Sequence, residues 1–271
     1  MTDKKSCAGV ESGTTREDYH KRPEWSYSQL KVILDSGIDY AVAAKRGMIE
    51  QPSSKAIDLG QIIHTRVLGG GASAVVSQYD NFRTKEAREW RDKMAEEGKI
   101  VLTETEMVAT NTIVNNIINH PKSEGLLFGQ DVQHEVEMFA KTSDGLELRG
   151  KADALKIGKG HHTLTLVDLK TTSQFDSFKY RVQRNHYDLQ AANYTLIGSA
   201  SQKIDPGSVD YWFCVAETVP PYRVQFMYAT PEFVSSGERK LAKCVEEVLK
   251  FGDKDPNFML EEVIELGDWS I

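Results

Sequence analysis

Residues 150–170 read GKADALKIGKGHHTLTLVDLK, and this stretch decides the fold. From Leu164 the run LTLVDLK alternates, so Leu164, Leu166, Asp168 and Lys170 share one face of a strand. A core-facing stripe that ends in a carboxylate and an ammonium breaks a local rule, because unpaired charge is expensive to bury. Such breaks mark functional sites. The preceding strand, about residues 146–156, carries Asp153 and returns through a loop containing Gly158 and Gly160. A turn centred near Gly160 sets Asp153 opposite residue 167 or within two positions of Asp168, with Cβ atoms roughly 5–8 Å apart. Two carboxylates at that spacing repel unless a cation lies between them, and a hard, oxygen-liganded ion such as Mg²⁺ fits. Lys170 then reaches a substrate oxygen beside the ion. The same residues also fit a surface hairpin with two solvated acids and a neighbouring lysine.

On either side of this hairpin the periodicity continues. Strands are expected at about 132–140, 209–217 and 223–229, and helices at 178–199 and 231–251. Upstream, helical segments are expected over 25–47, with Gly37 as a break, over 54–68, and over 103–119, which ends before Pro121. Residues 81–98 are charged and read as helix or ordered loop. Helices, a three-strand meander, a helix, two strands and a last helix predict an α/β fold: a central mixed β-sheet flanked by helices on both faces. Residues 1–22 are polar and aperiodic and read as a flexible tail. Residues 23–271 read as one domain, with a helical part (23–120), a sheet core (130–230) and a C-terminal helix (231–251).

Composition narrows the class. The chain has 271 residues, 40% of them hydrophobic and 27% charged, as in ordinary globular proteins. No apolar run approaches the roughly 18 residues of a membrane span, and MTDKKSCAGVESG lacks the apolar stretch of a secretory signal. Cys7, Cys214 and Cys244 form no CxxC pair, so a cysteine-built metal or iron–sulfur site is not expected. A cytoplasmic location is the expectation. The net charge of −7 argues against passive coating of nucleic acid. It leaves room for an enzyme that confines its positive charge to a channel.

Other residues extend the site. His64 lies on an apolar helix and reads either as a satisfied core histidine or, as neutral imidazole, as a metal ligand. Glu135 and Glu137 alternate with Val136 and Met138, either as solvated acids or as part of the site. Lys179, Arg181, Arg184 and His186 are followed by Tyr187, Gln190 and Tyr194 at i, i+3 and i+7 on one helix face. Basic groups followed by aromatic and amide groups suit phosphate and base contacts. An amphipathic helix with solvated basic residues is the plainer reading.

Taken in order, these motifs resemble the PD-(D/E)xK nuclease superfamily, in particular the exonuclease VIII type (the RecE C-terminal nuclease domain), with RecB-type nucleases more distant. The resemblance is carried by GQIIH (60–64), HEVE (134–137), GKADAL (150–155), VDLKTT (167–172), DLQAANY (188–194) and AETVPPY (216–222). It implies metal ligation by His64, Asp153, Asp168 and the Leu169 carbonyl, with Glu135 as a further acid. It implies a catalytic Lys170, and DNA contact by Gln190 and Tyr194, beside Tyr187, Arg181, Arg184 and Lys179. The implied activity is hydrolysis of linear double-stranded DNA from the 5′ end, dependent on Mg²⁺ or on Mn²⁺ as its substitute. That reaction leaves 3′ single strand for a RecT-like annealing partner, in a ring-shaped homo-oligomer in the bacterial host cell. The alternative is a DNA-binding or scaffold protein of the same fold without catalysis. His161 and His162 match no family motif and read as loop residues.

Overall fold

Alternating branched and aromatic residues build the strands around the hairpin, and apolar stripes of helical period cover them on both sides. The computed structural model describes residues 9–11, 16–49, 55–69, 73–79 and 81–257. The first half of the chain runs through β1 (Gly9–Glu11), α1 (Arg16–Lys21), β2 (Trp25–Ser26), α2 (Tyr27–Ser36), α3 (Ile38–Lys45), α4 (Lys55–Leu68), β3 (Ala74–Val76), α5 (Lys85–Glu96), β4 (Ile100–Leu102) and α6 (Glu104–Ile118). After the short α7 (Ser123–Leu126) come β5 (Val132–Lys141), β6 (Glu147–Ile157), β7 (Leu164–Thr172), α8 (Phe178–Arg184), α9 (Tyr187–Gln202), β8 (Val209–Glu217), β9 (Val224–Ala229) and α10 (Pro231–Phe251).

The main sheet has the order β1-β5-β6-β7-β8-β9, with β2 also on β6. Pairing is antiparallel from β5 to β7, parallel between β7 and β8, and antiparallel again to β9. The parallel pair needs a crossover, which α8 and α9 supply. This is the mixed sheet with flanking helices expected from the sequence. β3 and β4 form a separate two-stranded parallel sheet.

β6 is unusual along one side. Leu148 and Arg149 pair with β2, and Ala154 to Ile157 pair with β7. Among the described residues neither strand pairs with the four positions between, 150–153. The sheet is therefore parted where Asp153 sits.

Each face of the sheet has its own core. On one, Leu148, Leu164, Leu166 and Phe213 pack with Leu189 and Ile197 of α9 and Leu241 of α10. On the other, Ala154, Val167 and Leu169 pack with Ile63 and Val67 of α4 and Ile113 of α6. α9 lies very close to β6, for a Cβ on Gly150 would fall 2.4 Å from Ile197 Cδ1.

Several expected boundaries differ. The 25–47 segment begins as a strand, and Gly37, at φ +87°, divides the rest into α2 and α3. The 178–199 helix is broken at His186, which takes a left-handed backbone at φ +52°. Its ring holds that conformation through tertiary contacts, Nε2 lying 3.3 Å from Asp35 and Nδ1 3.1 Å from Lys240 Nζ. Part of the expected N-terminal tail is also structured: β1 pairs with β5, and α1 is placed by the Arg149 guanidinium, which donates to the Tyr19 carbonyl and stacks on the Tyr19 ring. Short pieces of this kind take their structure from partners far along the chain, which local periodicity does not reveal. Residues 1–8 and 12–15 lie outside the described residues, as does Ser54, where the second helix was expected to begin.

Candidate active site

Three neighbouring strands set three carboxylates side by side. The pairs His134–Ala154 and Val136–Ala152 bracket Glu135 of β5 and Asp153 of β6. One step beyond the Ala154–Val167 pair, Asp153 comes beside Asp168 of β7. Here the ladder stops, and the Leu169 amide donates to Asp153 Oδ2 at 2.6 Å instead of to a strand carbonyl. Glu135 departs from strand geometry with φ +56°, a conformation disfavoured for a residue with a side chain and concentrated at functional sites.

A cation faces each acid. His64, projecting from α4, places Nδ1 3.6 Å from Asp153 Oδ1. Lys170 Nζ is 2.7 Å from Asp168 Oδ2 and 4.8 Å from the centre of the Tyr187 ring. Lys151 Nζ forms an ion pair with Glu135. His64, Glu135 and Asp153 each offer one ligand atom, and these lie within 4.8 Å of one another.

The electrostatics follow from burial and from these pairings. Burial pushes the Asp153 carboxyl up, but His64, the Leu169 amide and Lys170 outweigh it and hold the group below the ordinary carboxylate value. Asp168 goes the other way. Burial and the adjacent Asp153 charge raise it, and Lys170 offsets them only in part. For His64, burial favours the neutral ring, yet the Asp153 carboxylate overrides it and raises the pKa. Lys170 is likewise kept charged by Asp168 against the desolvation it suffers.

The residue types suit a divalent cation. Carboxylate oxygens are the preferred donors of Mg²⁺ and Mn²⁺, and a neutral imidazole is compatible with Mn²⁺ and other transition ions. Asp168 Oδ2 is buried and accepts no hydrogen bond among the described residues, its contact being the Lys170 ion pair. His64, Asp153, Glu135 and Asp168 are the groups that could hold such an ion. The expected Leu169 carbonyl belongs to the same strand segment.

The remaining expected residues divide into three sets. Gln190 is buried, 3% exposed, and spends its amide on Asp168 Oδ1 at 2.5 Å rather than presenting it to solvent. The Tyr194 hydroxyl donates to the Lys151 carbonyl at 3.1 Å and accepts from the Lys151 amide at 3.3 Å. Arg181 and Arg184 line a groove of roughly 730 Å³ with Lys31, Asp35, Tyr180 and Asn185, and none of Glu135, Asp153 and Asp168 borders it. Lys179 is exposed and stands over the Tyr180 ring at 5.0 Å. Glu137, expected to share a face with Glu135, is buried while Glu135 is half-buried.

Sequence reasoning missed Lys151. Its signal was present in GKADAL, because a residue two before Asp153 on a strand points to the same side.

Comparison with known proteins bears on the fold and the family. The crystal structure named "Putative exonuclease" from Eubacterium rectale superposes with a TM-score of 0.61 at 14% identity, over 94% of this chain and 97% of that one. At such identity the likeness shows the fold. Protein VC1899 from Vibrio cholerae aligns over 91% of this chain and 58% of that one at 13% identity, and its TM-score of 0.22 carries no argument. No curated protein matches the sequence. The family model described as "PDDEXK-like domain of unknown function (DUF3799)" matches residues 26–257, nearly all of the described chain, and the protein belongs to that family within the PD-(D/E)xK nuclease superfamily.

Proposed function

We propose that this protein is a divalent-metal-dependent exodeoxyribonuclease that degrades one strand of linear double-stranded DNA from the 5′ end. The observation that carries the reading is the row Glu135, Asp153 and Asp168 across three adjacent strands, with His64 and Lys170 drawn to it from separate parts of the chain. A purely structural sheet has no use for three aligned acids at the point where its ladder opens.

The chemistry assigned to each group follows from its surroundings. Asp153, held ionised by His64 and the Leu169 amide, and His64 itself are the principal ligands, with Asp168, the Leu169 carbonyl and Glu135 completing the set. Mg²⁺, or Mn²⁺ in its place, when bound polarises the scissile phosphate and lowers the pKa of a bound water. Lys170 keeps its charge through Asp168, orients the attacking water and offsets the charge that develops on the phosphate. Gln190 fixes the Asp168 carboxylate through one oxygen and leaves the other for Lys170. Arg181 and Arg184 supply phosphate contacts along the groove beside α8.

The finer reading is what the resemblance to exonuclease VIII-type nucleases implies: 5′-to-3′ polarity, a 3′ single-stranded product passed to a RecT-like annealing protein, and a ring-shaped homo-oligomer around the duplex. The direct test uses end-labelled linear duplex bearing a 5′ phosphate or a 5′ hydroxyl, with Mg²⁺ or with EDTA. Loss of label from the 5′ end with Mg²⁺ and none in EDTA is expected. Asp168→Ala and Lys170→Ala should keep their circular dichroism and lose about 10²–10³-fold or more in rate, the range for removal of a transition-state-stabilising group. Digestion by Asp168→Ala at the wild-type rate, in a clean preparation, would falsify the mechanism.

A further inference from the structure

The parted side of β6 presents a lysine that no family motif assigns. Residues 148–149 are bonded to β2 and residues 154–157 to β7. A buried peptide group between them requires a substitute partner. The Tyr194 hydroxyl provides it for both the amide and the carbonyl of Lys151. The backbone at Lys151 is thereby anchored on both its amide and its carbonyl.

That side chain leaves β6 on the same side as Asp153 and reaches Glu135. Both partners keep contact with water, the Lys151 side chain being 29% exposed and that of Glu135 35%. An ion pair this accessible is weak and readily exchanged. One Glu135 carboxylate oxygen also lies within 4.8 Å of the ligand atoms of His64 and Asp153. Lys151 and a divalent ion therefore compete for one carboxylate. The arrangement mirrors that of Lys170, which stands two residues after Asp168 as Lys151 stands two before Asp153.

We propose that Lys151 is a second lysine of the reaction centre: it neutralises Glu135 in the ion-free protein and transfers its ammonium to a phosphate oxygen of the bound strand when a divalent ion takes that carboxylate. The inference rests on the metal-dependent reading above. The stem of four carbons gives the reach, the Tyr194-held strand gives the anchor, and an arriving polyanion supplies the acceptor.

Two measurements on the same variants decide it. Mn²⁺ binding to DNA-free protein is read by calorimetry, and binding of a short labelled duplex in Ca²⁺ is read by fluorescence anisotropy over a salt series. Lys151→Met should bind Mn²⁺ several-fold more tightly, since the tethered competitor is gone. It should also bind duplex about 10-fold more weakly, with a salt slope lower by about one, the signature of one lost phosphate contact. Lys151→Arg should restore duplex affinity and return Mn²⁺ affinity towards wild type. Both affinities unchanged in Lys151→Met, or both moved in the same direction, overturns the proposal. Asp153→Asn is the control for the underlying reading. If wild type binds Mn²⁺ no better than Asp153→Asn, the metal site itself is refuted and the role of Lys151 falls with it.

Discussion

His64 and Asp153 form the ion pair on which the pH response of the site turns. Asp153 raises the His64 pKa above the ordinary imidazole value of 6.5, so the ring is protonated over a wider range than a free histidine. On the metal-dependent reading a divalent ion takes the neutral ring and must displace that proton. Mn²⁺ affinity should thus be complete above the raised value and weaken as pH falls through it, with proton uptake by His64. Calorimetry in buffers of different ionisation enthalpy checks this by counting protons released per ion. In His64→Gln the pH dependence should flatten over the same interval, and retention of the full wild-type dependence would exclude the ring as its source. At this scale the sequence was partly legible. Asp153, Asp168 and Lys170 stood out because period-two patterning put charge on a core-facing stripe. The ion pair between Lys151 and Glu135 did not, because it depends on the left-handed backbone at Glu135, which nothing in QHEVEMF signals.

Element by element, the long pieces were readable and their joints were not. β5 to β9, α6 and α10 follow from alternation, from helical periodicity and from caps such as Thr103 with Glu106 and Thr230 before Pro231. The break between α8 and α9 is set by Asp35 and Lys240, residues remote in sequence from His186. β1 and β2 are too short to carry a period. The packing of α10 on α9 offers a test at this scale. A Cβ on Gly237 would lie 1.9 Å from the Asp188 carbonyl oxygen, a backbone atom at the start of α9 that cannot turn aside. Gly237→Ala should lower unfolding stability by about 2–3 kcal/mol, the upper part of the usual overpacking range, as read from urea titrations. Gly150→Ala meets side chains instead, the terminal methyl of Ile197 and, at 3.1 Å, the Tyr194 ring, and should lose about 1–2 kcal/mol. A Gly237→Ala protein as stable as wild type would show that α10 is free to shift off α9.

Across the whole molecule, charge is distributed rather than basic. With a net charge of −7, affinity for a polyanion depends on where the cations gather. Arg181 and Arg184 gather along the groove beside α8, where Lys31 is paired with Asp35 at 3.6 Å. Replacing both arginines by alanine should weaken duplex binding about 10-fold at low salt and reduce the salt slope by about two, equally for unrelated sequences. An unchanged slope would place the DNA path elsewhere on the surface. The division of the sheet has a last consequence. β1, β2, β5 and β6 form one half and β7, β8 and β9 the other; among the described residues the strand pairing between them is the short ladder from Ala154–Val167 to Ile157–Leu164, with α9 packed across both. The seam between them runs through the carboxylates, with Glu135 and Asp153 on one bank and Asp168 on the other. An ion that Asp153 and Asp168 held together would be a rivet as well as a reagent, and its capture would tighten the joint between the halves of the protein.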